Sequence, residues 1–305
     1  MMKFLARRVI LALLVGLTVL TISFALTRLS GDLAVSIAGP QATSEDVAII
    51  RKAYGLDRPV VVQFFDWVRS AATGDLGRSY LYHAPVAELI RERIPVTFTL
   101  GVTGLCIALL TAIPLGILAA MREGSVVDRG IMLIAVVGQA MPSFFLGLLL
   151  IIWLGLKLQL LPISGADTWD GYVLPGVVLA FSAIPSLMRL TRSGMVDALA
   201  SDYIRTARAK GLGRAAIVLK HALRNAAMPV VAVAAVQLGF MLSGSIVIES
   251  VFALHGVGYL GWESISKNDF PVVQAVVLFL AVIYICLTLV ADLFNAALDP
   301  RLRAG

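Results

Sequence analysis

Charge is scarce in this chain. Of 305 residues only 14% are Asp, Glu, Lys or Arg, against 59% hydrophobic, and the mean hydropathy is +0.91. A soluble domain of this size cannot hide so much apolar surface, so an integral membrane protein follows. Cysteine is nearly absent. Cys106 and Cys286 both lie inside apolar runs, which excludes a disulfide framework or a zinc-type spacing. They read as small buried hydrophobes. The three histidines, His83, His221 and His255, fall at no ligand spacing, so no metal site within the chain is expected. No G-x-x-x-x-G-K-[ST] sequence occurs; if ATP is used, another subunit must hold it. Gly256-Val-Gly-Tyr-Leu-Gly261 fits G-x-G-x-x-G but has no βαβ context, and it reads as a tight turn. No Ser/His/Asp set at plausible membrane depth recommends an intramembrane hydrolase.

What is present is six apolar runs of spanning length, about 20 helical residues each. They are Val9–Thr27, Thr97–Ala120, Ile131–Leu156, Tyr172–Met188, Pro229–Ile248 and Val272–Ala291. None shows the alternation of an outer-membrane barrel, so helices are the structure that satisfies its own backbone in lipid. The first run follows Lys3, Arg7 and Arg8 like a signal peptide, but its uncharged core exceeds the usual h-region of about 7–15 residues. It reads as an uncleaved anchor. Pro142 and Pro185 should break or kink their helices.

Charge sets the orientation. With six spans, one face collects the N-terminus, 121–130, 189–228 and the C-terminus, and with them 15 of the 25 Lys and Arg residues. The short loops of the other face carry two, Lys157 and Lys267. Both termini are therefore expected in the cytoplasm. No linker or low-complexity stretch divides the chain, so it reads as one domain over 1–305, with an external segment at 30–95 and a permease core at 97–296.

The external segment carries helix punctuation. Thr43 with Asp46 fits a capping box and Gly55 a helix stop. Asp57 reads as the N-cap of a second helix through Arg69, Gly74 and Gly77 as turns, and Pro85 as the start of a third helix ending before Pro95. Val60, Phe64, Trp67 and Val68 recur near helical spacing and are expected to pack on the bundle; exposed members such as Phe64, Phe65 or Trp67 would instead anchor a partner. Gln63 and Tyr82 are taken as accessible positions on this segment. Inside the spans, Gln139, Gln237, Ser243, Gly244 and Ser245 are candidates to line a water-filled path, while small residues equally permit close helix packing. Asp292 is expected to pair with a base at the inner boundary, and no second intramembrane carboxylate is evident beside it.

The most informative stretch lies in the cytoplasmic loop 189–228. Asp202, Tyr203, Ile204, Arg205, Thr206, Ala207, Arg208, Ala209, Lys210, Gly211 and Leu212 form a polar, basic, helix-prone segment with a Gly stop. The run 205–224 holds six Lys or Arg and no acid. Membrane orientation explains that charge, and nucleic acid is not required. Orientation does not explain the helix-forming order, which favours a defined short helix offered to a cytosolic partner.

These residues carry a resemblance. Tyr203-Ile-Arg-Thr-Ala-Arg-Ala-Lys-Gly-Leu212, with Lys220-His-Ala-Leu-Arg-Asn225 and Met228-Pro-Val-Val231, resembles the coupling loop of ABC-importer permeases, and more narrowly the first membrane subunit of the dipeptide/oligopeptide/nickel family. Tyr54-Gly-Leu-Asp-Arg-Pro59, Gly74-Asp-Leu-Gly-Arg-Ser79, Gly244-Ser-Ile-Val-Ile-Glu249 and Ala297-Leu-Asp-Pro-Arg301 agree with it. Arg205-Thr-Ala207 stands where the general loop has Glu-Ala-Ala, and Arg224 where Pro is common; both are usual in the peptide branch. Ser30-Gly-Asp32 and His255 depart from the family pattern in the outer loops.

The resemblance implies an all-α permease subunit of the bacterial cytoplasmic membrane that imports di- or oligopeptides and does no covalent chemistry itself. It has six transmembrane helices, an external helical segment after the first and a coupling helix between the fourth and fifth. ATP and Mg would sit on two cytoplasmic ATP-binding subunits, beside a second homologous permease, an extracytoplasmic solute-binding protein and membrane lipid. A nickel or glutathione importer subunit is the alternative within the family. A proton-coupled secondary transporter is the rival outside it; that class needs intramembrane carboxylates or an inverted repeat of broken helices.

Overall fold

The computed structural model describes residues 2–29, 31–39 and 41–298. Ser30 and residues 299–305, with the ends of the two motifs that contain them and the bases Arg301 and Arg303, lie outside the described residues. Among those described, all regular structure is helical, apart from one isolated antiparallel bridge between Arg78 and Pro85. Fourteen α-helices are numbered in chain order. Among the described residues, five helical stretches are long and apolar enough to cross a bilayer: Ile10–Leu29, Val86–Met121, Trp169–Ala200, Arg214–Ser243 and Phe270–Leu293.

Contacts gather the chain into two compact units, one of residues up to Thr97 with His255–Ile285, the other of Phe98–Leu254 with the chain from Cys286. The first unit opens with α1 (Met2–Leu29) and α2 (Leu33–Ala38). Helix α3 (Ser44–Ala53) has the expected capping box, Thr43 Oγ1 accepting from Asp46 N and Asp46 accepting in return. It stops as expected at Gly55, whose φ is +62°; Gly55 N–H donates to Lys52 O and Leu56 N–H to Arg51 O, the Schellman pattern that satisfies orphan carbonyls. Helix α4 (Val60–Ala72) is preceded by Pro59 at the N-cap, not Asp57, and has no side-chain cap. Phe64 and Trp67 of α4 pack on Phe24 of α1, with ring centroids 5.3 and 6.1 Å apart, whereas Phe65 stays 64% exposed. Packing on the bundle is thus the outcome for Phe64 and Trp67.

The third external helix does not end before Pro95. It runs on as α5 (Val86–Met121), 36 residues without a break. Pro95 is exposed, and the helix continues through it without the one hydrogen bond its missing N–H cannot make. In the same unit, α13 (Val257–Ser266) takes up Gly256-Val-Gly-Tyr-Leu-Gly261, a helix start where a tight turn was expected. Val86, Leu89 and Ile90 of α5 join Val257 and Leu260 of α13 and Val272, Ala275 and Val276 of α14 (Phe270–Leu298) in one buried cluster.

In the second unit the third apolar run is two helices. Helix α6 (Val126–Ala140) and α7 (Ser143–Leu150), prolonged by a π-helical turn Ile151–Lys157, meet at 101° across Met141-Pro142. Pro142 therefore breaks its helix. Pro185 does not: α8 (Val173–Ala200) passes through it unbroken. The fifth apolar run begins before Pro229. α10 (Arg214–Ala216), a π turn Ile217–Ala222 and α11 (Leu223–Ser243) form one stretch that stops at Ser243, before α12 (Ile246–Val251). Small residues let the long helices close up. A Cβ at Gly116 of α5 would lie 2.9 Å from Met188 O of α8, and one at Gly194 of α8 would lie 3.2 Å from Ala226 Cα of α11, the packing mode that lipid-embedded helices favour. Cys106 and Cys286 are exposed on the chain's surface instead of buried.

Candidate functional site: the loop helix and its supports

The segment singled out in sequence is a helix. α9 (Asp202–Ala209) follows Ser201, and Lys210 is its C-cap. Gly211 has φ +77°. Its N–H donates to Arg208 O at 2.9 Å, and Leu212 N–H donates to Ala207 O at 3.3 Å. This is a second Schellman stop, placed where only glycine adopts the backbone without strain. At about 1.5 Å per residue α9 is ~12 Å long.

Two side chains root it. Ile204 is fully buried and Ala207 is 7% exposed, and both join Ala120, Met195, Ala198, Ile217, Val218 and Ala222 in one core. Their spacing of three leaves every other position from Asp202 to Leu212 outward. Asp202 pairs with Arg205 on the surface, and Thr206 Oγ1 donates to Asp202 O at 3.1 Å. Asn225 Nδ2 of α11 donates to Tyr203 OH at 2.9 Å, a tether that sequence did not reveal. The result is a short cationic ridge on a fixed apolar foot.

A second support joins the first turn of α6 to α8. Asp128, on the first turn of α6 behind the Ser125 cap, is 4% exposed. Arg192 of α8 donates to it twice, Nε to Oδ1 at 2.6 Å and Nη2 to Oδ2 at 2.7 Å. Gly124 N–H also donates to Oδ2, at 2.9 Å. This bidentate, charge-assisted geometry is the strong form of the interaction.

The pathway candidates sit on three elements of the second unit. Gln139 lies exposed on α6 and Gln237 half-buried on α11, with α8 packed against both helices. Ser243, Gly244 and Ser245 occupy the break between α11 and α12. Ser243 Oγ donates to Gly239 O at 2.8 Å. Ser245, fully buried, donates to Glu249 Oε1 at 2.7 Å. Glu249 is itself fully buried. It lies one residue beyond the fifth apolar run, and sequence reasoning passed over it as an acid at depth.

The external segment is latched to α13 and the turn after it, within the first unit. Ser79 Oγ donates to Asp269, and Tyr80 and Leu81 N–H donate to the same carboxylate at 3.2 Å each. Tyr82 OH donates to Glu263, which also pairs with Lys267 at 2.8 Å. Tyr82 is therefore half-buried and committed, and Gln63 is only 7% exposed; neither is the accessible position expected. Burial, then the Glu263 carboxylate, pushes the Tyr82 phenol up to about 12. Lys267, then the Tyr82 hydroxyl, holds the Glu263 carboxyl below its ordinary range.

Residues 112–304 match the family described as binding-protein-dependent transport system inner membrane component, and residues 1–101 match the N-terminal region of the same kind of component. The chain belongs to this family. It is a multi-pass inner-membrane permease component, not a catalytic subunit. Among relatives of this permease, the glutathione transport system permease proteins GsiC of Escherichia coli (strain K12) and of Salmonella typhimurium (strain LT2) are each 42% identical over 275 residues, covering 90% of both chains. A solved structure of an amino acid ABC transporter with histidines aligns at 17% identity over 70% of this chain and 94% of its own, with a TM-score of 0.47.

Proposed function

We propose that this permease is one membrane subunit of an ATP-driven importer of short peptides. In this reading α6 and α7, the two arms of the 101° elbow at Pro142, cross the bilayer together, the chain has six spans, and both termini lie in the cytoplasm. α9 docks in a cleft of an ATP-binding subunit, and ATP with Mg stays on two such subunits. A second permease completes the pathway, and an extracytoplasmic solute-binding protein delivers cargo to the side of residues 30–95. The observation that carries the reading is α9 itself: a cationic ridge whose foot is buried among the ends of the long helices. ATP-driven closure that moved α9 would be passed to α8 and α11, against which its core is packed. Identity with GsiC favours glutathione as a specific second reading, and glutathione is itself a modified tripeptide.

The coupling part is tested at Gly211. A β-branched residue there meets about 1–2 kcal/mol of left-handed strain and should misplace the end of α9. In the reconstituted importer, Gly211→Val is expected to lower substrate-stimulated ATP hydrolysis about tenfold, the factor that 1.4 kcal/mol corresponds to, while the subunit still inserts. Undiminished stimulation would remove α9 from the coupling route. Competition between glutathione and a dipeptide for transport then separates the two cargo readings.

A further inference from the structure

The first unit contains a second polar site. A cavity of about 330 Å³ lies between the outer end of α1, α4, the turn before α5 and the start of α14. Its size falls in the ~300–1,000 Å³ range of small-molecule sites. Two buried polar atoms of residues lining it have no hydrogen-bond partner among the described residues: Arg28 Nε and Gln63 Oε1. Leaving such groups unpaired is unfavourable, so each calls for an explanation.

The Gln63 amide is not free to turn over. Its Nε2 donates to Arg58 O at 2.7 Å and to Leu56 O at 3.2 Å. Those bonds fix which end is carbonyl, and the carbonyl is left waiting for a donor. Arg28 lies over the Phe24 ring, 5.0 Å from its centroid, and has no ion pair among the described residues. The carboxylates on the wall do not serve it. Asp66 is paired with Arg58 at 2.7 Å. Asp75 turns one oxygen to Gly77 N–H at 3.0 Å, and its other oxygen is uncommitted among the described residues. One cavity therefore offers an unpaired cation, a fixed acceptor and a half-used anion, beside the aromatic rings of Tyr54, Trp67 and Tyr80.

The geometry points to a binding site for a zwitterionic short peptide. Its terminal carboxylate pairs with Arg28, the amide N–H next to that carboxylate donates to Gln63 Oε1, and its ammonium group faces Asp75. A planar guanidinium suits a carboxylate, and a peptide C-terminus is a group that presents a carboxylate and an N–H side by side. This deepens the peptide reading above and rests on it for the cargo class; the site itself is carried by the first unit alone, apart from α9 and the residues proposed to line the pathway.

The test uses the full-length chain in lipid nanodiscs, with Ala-Ala and its C-terminal amide as probes and calorimetry as the readout. Saturable binding of Ala-Ala is expected. Arg28→Gln should weaken it about tenfold or more, the range of a hydrogen bond to a charged group. The amide should bind wild-type protein correspondingly worse and lose little more on Arg28→Gln. Gln63→Met should weaken Ala-Ala severalfold; with the amide probe on wild-type protein, it decides the matter if Arg28→Gln fails to insert. A cavity that holds only water gives no saturable heat with wild-type protein, and that result overturns the proposal. So does Ala-Ala binding unchanged in both variants. Ala-Ala bound in nanodiscs but not transported by the complete importer would leave this site standing and sink the peptide-import reading instead.

Discussion

At the scale of single residues, two positions in the loop region do different work. Gly211 acts through its backbone alone: a Cβ there would meet no atom within 4 Å, so the cost of a substitution is the left-handed φ and nothing else. Asp128 acts through its partners. Asp128→Asn would leave Arg192 facing a neutral amide and is expected to destabilise by roughly 2–3 kcal/mol, read as a lower thermal midpoint in detergent. The exchanged pair Asp128→Arg with Arg192→Asp should recover part of it; if both forms melt like wild type, the bridge contributes nothing. Gly211 was legible in sequence because a helix stop is local, set by a glycine at the end of a helix-forming order. The bridge was not, because its partners are 64 positions apart and only the pairing of α6 with α8 brings them together. Glu249 was passed over for a related reason: hydropathy places it at the margin of a span, and burial at a helix break is a tertiary property.

At the scale of elements, the latch between residues 79–82 and the segment from Glu263 to Asp269 makes a prediction about pH. The Glu263 carboxyl is depressed in the folded state. Its contribution is present above the unfolded value of about 4.3 and is lost as pH falls through the lower folded value. The Tyr82 phenol is raised to about 12, so its contribution is full below about 10 and is lost as pH rises towards 12. Tyr82→Phe should raise amide exchange at Tyr80 and Leu81 by a factor that is constant between about pH 5 and 9 and shrinks below about 4, where Glu263 is protonated in wild type as well. A factor that stays the same into strong acid, or no rise at all, would show that the Tyr82–Glu263 bond does not hold the turn. Helix starts and stops in this region were largely readable: Thr43, Gly55, Gly74 and Gly77 sit where their chemistry placed them. Continuity was not. Pro95 and Pro229 each read as a boundary, yet both are exposed prolines inside long helices, and whether a helix tolerates one lost hydrogen bond depends on what packs around it, which is not local in sequence.

At the scale of the whole molecule, membrane class and the number of apolar runs were plain from composition, and the position of α9 between the fourth and fifth runs followed from them. The shape of the third run was not, beyond the break that Pro142 foretold. Fusions report on it. Alkaline phosphatase joined within residues 35–90 should be active, and joined after α14 inactive, if six spans cross; activity at the second site would refute six spans. The stakes are larger than one loop. Fifteen residues of α6 rise about 22 Å, short of the ~30 Å hydrocarbon layer, and the arm beyond Pro142 is equally short. Crossing requires both arms, and the 101° elbow leaves open a return to the starting side. The elbow therefore sets the parity of the chain. An odd count ahead of α9 would put its cationic ridge outside the cell, where there is no ATPase to meet it; an even count puts it where nucleotide is hydrolysed. With the N-terminus in the cytoplasm, as proposed, a single proline-marked corner, far from α9 in sequence, would determine which solution that helix faces.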